Sequence, residues 1–92
     1  MKILASEPVA AWLTAWPPLT KQRVRRALRG LAMGKGDIKA LSSELEGFCR
    51  LRVGGMRIIY TQLPGQILRL EYSDTRDVVY EAFTRILENR ET

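Results

Sequence analysis

Two adjacent glycines in the middle of the chain restrict its fold more than any other feature. Gly54 and Gly55 separate Cys49-Arg50-Leu51-Arg52-Val53 from Met56-Arg57-Ile58-Ile59-Tyr60, two runs in which apolar residues alternate with arginine. A period of two sends successive side chains to opposite sides of a strand, and a two-glycine link supplies the positive φ of a type I′ or II′ turn. The spacing predicts an antiparallel hairpin with Val53 opposite Met56, Arg52 opposite Arg57 and Leu51 opposite Ile58. One face is then apolar, and the other carries Arg50, Arg52 and Arg57 away from the core. Like charges set directly opposite each other weaken a strand pair by ~0.2–1 kcal/mol. The arginines are therefore expected to meet solvent, an internal acid such as Glu71, Glu44 or Glu46, or an anionic ligand.

The flanking segments supply helices and further strands. Residues 2–5 read as a short edge strand, and Ser6, Glu7 and Pro8 as a helix start with a cap, an acid and a first-turn proline. This helix runs to about residue 16, where Pro17 and Pro18 stop it. Val24, Ala27, Leu28, Leu31 and Ala32 then recur at the spacing of one helical face, with Lys21, Arg25, Arg26 and Arg29 on the solvated side and Gly34 and Gly36 after the end. The two helices should form an αα-hairpin. Pro64 and Gly65 mark a turn before a strand over 67–73, whose Leu68, Leu70 and Tyr72 reach the apolar face if the loop has an odd length, three or five residues. Ser73, Asp74 or Thr75 would cap a last helix with Val79, Ala82, Phe83 and Ile86 as its buried stripe, and Arg76, Tyr80 and Thr84 beside it. The expected fold class is α+β, in the order β-α-α-β-β-β-α, with the helices on one face of an antiparallel sheet and one domain over 1–92.

The residue inventory narrows the chemistry. Fifteen Lys and Arg against ten Asp and Glu leave a net charge of +5, and eleven of those cations are arginine, which points to a polyanion or an acidic protein as partner. There is no histidine and a single cysteine, Cys49, so a cysteine zinc site, an intrachain disulfide and Ser-His or Cys-His catalysis are excluded. Cys49 reads as an inward-facing small hydrophobe, Tyr60 and Tyr72 as core, and Trp12 and Trp16 as core or interface. The first residues are too short for a signal-peptide core and no apolar run spans a bilayer, so a cytoplasmic protein is expected, without membrane contact. Tyr80 reads by itself as a half-buried packing residue. Its phenol would be a poor base at the ordinary pKa of about 10, and neighbouring arginines would lower that value.

The run Gly36-Asp37-Ile38-Lys39-Ala40-Leu41, followed by Gly47-Phe48-Cys49-Arg50-Leu51-Arg52-Val53-Gly54-Gly55-Met56-Arg57-Ile58-Ile59-Tyr60 and the closing Arg76-Asp77-Val78-Val79-Tyr80, resembles the RelE/ParE superfamily of bacterial toxins. The resemblance extends over nearly the whole chain and implies the same element order. It also implies a type II toxin–antitoxin module. RelE-like toxins cut messenger RNA in the ribosomal A site, ParE-like ones poison DNA gyrase, and a cognate acidic antitoxin neutralises either and supplies operator DNA binding. By that resemblance Arg50, Arg52, Arg57 and Tyr80 are the catalytic set, with Arg76, Lys39 and Arg69 as RNA-binding residues and no cofactor or metal. Lysine often stands at the strand positions in ribosome-dependent relatives. Arginine cannot release a proton, so Arg50 and Arg52 are not general bases. Asp74 and Thr75 stand where active relatives often carry Arg or His, which leaves the general acid unassigned. The alternatives are a ParE-like gyrase-binding toxin without nuclease chemistry and a degenerate toxin that acts only within an antitoxin complex.

Overall fold

The computed structural model describes residues 1–90, and the last two positions of the domain expected over 1–92 lie outside them. The chain runs β1 (Lys2–Ala5), α1 (Glu7–Thr14), α2 (Pro18–Ala32), β2 (Asp37–Ala40), a 3-10 turn (Ser43–Leu45), β3 (Cys49–Val53), β4 (Met56–Leu63), β5 (Ile67–Asp74) and α3 (Val78–Arg90). β3 and β4 form the expected hairpin, with Val53 opposite Met56, Arg52 opposite Arg57 and Leu51 opposite Ile58.

The result is a small α+β fold with a five-stranded mixed sheet in the order β1-β5-β4-β3-β2. Two features of the expected order need correction. β2 is a fourth strand after the helical hairpin, antiparallel to β3; it is four residues long, lies at the sheet edge and is exposed throughout, so it carries no apolar alternation. The sheet is also not wholly antiparallel, because β1 runs parallel to β5 with Ile3 level with Leu68. Ser6 joins the two: its N–H donates to Leu70 O at 3.0 Å and its hydroxyl to Glu71 O at 3.3 Å. The same hydroxyl accepts from Val9 N at 3.4 Å and caps α1. After α2, Gly34 adopts φ +76° and Lys35 N returns to Gly30 O at 2.8 Å, so the left-handed residue satisfies the last turn of the helix.

The loop between β4 and β5 has the odd length that parity requires, with Leu63 opposite Ile67. Tyr60 pairs with Leu70, but Ile59 pairs with Tyr72, so Glu71 is the extra residue of a β-bulge. Leu68 and Leu70 join the apolar face as expected. The bulge turns Tyr72 to the opposite face, where it stacks on Phe83 with centroids 6.1 Å apart, and the expectation for Tyr72 is corrected accordingly.

The helices therefore occupy both faces, not one. α1 and α2 cover a cluster that includes Val9, Val24, Leu31, Leu51, Ile58, Tyr60 and Leu70, against which Trp12, Trp16 and Cys49 pack. α3 covers a smaller cluster of Leu45, Ile59, Val79 and Phe83, flanked by Tyr72, Tyr80 and Leu87. Ala82 and Ile86, expected in the buried stripe of α3, are only half-buried. The expected caps belong to the strand end: β5 continues through Ser73 to Asp74, whose carboxylate accepts from Thr75 N, and α3 starts at Val78. No helix among the described residues is long and apolar enough to cross a membrane.

Candidate functional site

Directly opposed residues of an antiparallel sheet share a face. On the α3 side that rule gathers Asp37 and Lys39 from β2, Arg50 and Arg52 from β3, and Arg57 and Ile59 from β4, since Lys39 opposes Arg50, Asp37 opposes Arg52, and Arg50 opposes Ile59. The three strand arginines thus point to one side of the sheet. That side is not open solvent, because α3 and its cluster lie on part of it.

Burial sorts the arginines. Arg50 is 8% exposed, which corrects its expected place on a face away from the core. Its Nη2 donates to Asp37 Oδ1 at 3.3 Å, and its Nε is buried without a partner among the described residues. Arg57 is held by three bonds: Nε to Asp77 Oδ1 at 2.8 Å, and Nη1 to Gly55 O at 2.6 Å and to Thr75 O at 3.4 Å. Its Nη2 amino group is left to donate elsewhere. Arg52 is exposed and commits only Nε, to Gly54 O at 3.3 Å, so its two amino groups are unbonded among the described residues.

The expected internal counter-charges were the wrong acids. Glu71 is taken by Arg69, with bonds of 2.9 and 3.2 Å, and Glu44 and Glu46 form no ion pair among the described residues. Asp37 and Asp77 do the work instead. Neither carries a local sequence signal, because each meets its arginine through strand pairing or the approach of α3.

Tyr80 lies on the first turn of α3, half-buried against the cluster that contains Ile59. It walls a cleft of about 300 Å3 together with Lys39, Leu41, Glu44 and Thr84. The Thr84 hydroxyl donates to Tyr80 O at 2.8 Å and is used inside the helix. Lys39 links the cleft to the arginine row through its pairing with Arg50. Arg76 is exposed in the turn before α3. Arg69 does not join the group: it opposes Thr61, about 13 Å along β4 from Arg57 at 3.3 Å per residue, and is tied to Glu71.

The arrangement offers fixed positive charge and directed N–H donors on one sheet face, with Tyr80 in a neighbouring cleft that Lys39 borders. Such groups stabilise charge on phosphoryl oxygens without moving a proton themselves. The buried phenol of Tyr60 belongs to the opposite face: burial and the neighbouring Cys49 thiol push it up to about 12. No family model matches the chain, and no curated protein or solved structure similar to it is found.

Proposed function

We propose that the chain is a RelE-like toxin of a type II toxin–antitoxin module, a cytoplasmic endoribonuclease that cuts messenger RNA in the ribosomal A site. The observation that carries this reading is the sharing of one sheet face by Arg50, Arg52 and Arg57 next to the helix that bears Tyr80. The ribose 2′-hydroxyl attacks its own phosphorus, the bond to the 5′-oxygen breaks, and the products are a 2′,3′-cyclic phosphate and a 5′-hydroxyl. No protein nucleophile takes part. Arg52 and the free amino group of Arg57 meet the charge that grows on the phosphoryl oxygens, while buried Arg50 adds fixed positive potential behind them. Tyr80 is the proton carrier or the surface on which a base stacks. The ribosome presents the substrate, which suits a site without a deep pocket, and an acidic antitoxin covers the basic face.

Primer extension on ribosome-bound messages after brief induction tests this reading. Discrete breaks are expected, and a 2′-deoxy nucleotide at the cut position should abolish them; undiminished cutting of that substrate, or intact messages during growth arrest, rejects the nuclease. One observation favours a second reading, a ParE-like toxin that binds DNA gyrase without chemistry. Asp37 and Asp77 neutralise two of the three arginines, which suits docking more than catalysis. A supercoiling assay with purified protein separates the two, since inhibition is expected only for the gyrase-binding toxin.

A further inference from the structure

The tip of the β3–β4 hairpin collects guanidinium groups from two layers of the fold. A Cβ built on Gly54 would lie 3.1 Å from Nη2 of Arg23 and 3.3 Å from its Cζ and Nη1, so this α2 side chain presents its plane broadside to the turn. Gly54 has φ +59° and no side chain, and both properties are needed for the approach. From the sheet, Arg52 Nε donates to Gly54 O at 3.3 Å and Arg57 Nη1 to Gly55 O at 2.6 Å. Three cations therefore surround a two-residue turn. Among the described residues Asp77 alone is ion-paired to one of them, on Arg57, while Asp37 and Asp74 stand opposite Arg52 and Arg57 in the sheet; Arg23, on the other layer, is exposed and has no ion pair.

The acids lie on the strand layer and leave Arg23 uncompensated beside Arg52, and an anion between the two guanidinium groups relieves their repulsion. The planar forks of Arg23 and Arg52 match the oxygens of a phosphate. We propose that the hairpin tip is a phosphodiester-binding site in which Arg23 grips the RNA backbone at a phosphate next to the reacting one that Arg52 meets. Arg23 is a docking residue: α2 lies on the face opposite α3, so a strand held by Arg23 runs off the reactive surface and around the end of the sheet. The site rests on the RNA partner of the proposed function and not on cleavage.

The test is fluorescence anisotropy of a short labelled 2′-O-methyl oligouridylate, which cannot be cut by 2′-hydroxyl attack, titrated with the full chain at several salt concentrations. Arg23→Gln should weaken binding and reduce the slope of log affinity against log salt by about 0.7, the loss of one phosphate contact on a single strand. Arg25→Gln removes the same charge from α2 beside Met1 and Ile3 and should leave the slope unchanged. Arg23→Lys, which keeps the charge but loses the fork, should fall between wild type and Arg23→Gln. Thermal unfolding of each variant reports its folding. An unchanged slope for Arg23→Gln, an equal loss for Arg25→Gln, no binding by wild type, or the same Arg23 dependence for labelled polyglutamate would each overturn the site. Primer extension reads the nuclease separately: breaks with an unchanged Arg23→Gln slope sink only the hairpin-tip site, and a reduced slope without breaks sinks only the nuclease.

Discussion

Ile58 and Ile59 are neighbours in the chain, are both 0% exposed, and point into opposite halves of the molecule. Beneath Ile58 the sheet packs on two helices through aliphatic and aromatic side chains. Around Ile59 the buried cluster is small and shares its face with arginines, one of them sealed in with an unpartnered Nε. The first face holds the fold together. The second gives up apolar area to keep cations in place, and a buried donor left unsatisfied costs about 1–3 kcal/mol.

Truncation tests this contrast most strongly. Ile58→Ala should cost about 4 kcal/mol in urea unfolding and Ile59→Ala about 2 kcal/mol, the difference set by how far each site can collapse around the missing atoms. Equal losses would break the comparison. Arg57→Ala should lower RNA cleavage by about 10²–10³-fold, the usual effect of removing one charge-stabilising donor, while stability falls by only about 1–2 kcal/mol, the cost of the lost bonds to Gly55 O and Thr75 O, since Asp77 is largely exposed. A loss of folding in step with activity would place Arg57 with the structural residues.

Titration gives a smaller effect on the first face. Tyr60 binds its proton more tightly in the folded chain, with its value raised to about 12, so its stabilisation is complete below the unfolded value of about 10 and is lost as pH rises through the folded one. Urea midpoints should fall across that window, by about 1.4 kcal/mol per pH unit at most from this group, and Tyr60→Phe should flatten the fall. Arg50→Met has the smallest expected effect: it removes the unpartnered Nε and leaves Asp37 in solvent, so stability should be unchanged or higher by about 1 kcal/mol, whereas primer extension should show weaker cutting. A clear loss of stability would mean that Arg50 serves the fold.

The hairpin was legible because two local signals agree. Alternation assigns the faces of β3 and β4, and Gly54-Gly55 sets the register, so Arg52 opposite Arg57 follows from counting. The β4–β5 loop was legible by the same parity, but the bulge at Glu71 was not, since nothing in Leu70-Glu71-Tyr72 marks the extra residue that turns Tyr72 over. β2 carries no such signal, because a short exposed edge strand needs no apolar pattern. The side taken by α3 depends on a link of a few residues after the bulge, and with it went the burial of Arg50 and the roles of Asp37 and Asp77. Position along the chain brought the arginines together; their counter-ions were decided by tertiary approach alone.

The parallel pairing of β1 with β5 also has a consequence in time. The Ser6–Glu71 bond closes a separation of 65 positions, so β1 has no ladder partner until β5 has been synthesised. Until then Ile3 is uncovered on a nascent chain, and the late docking of this strand makes slow maturation and capture by chaperones the natural hazards of the design.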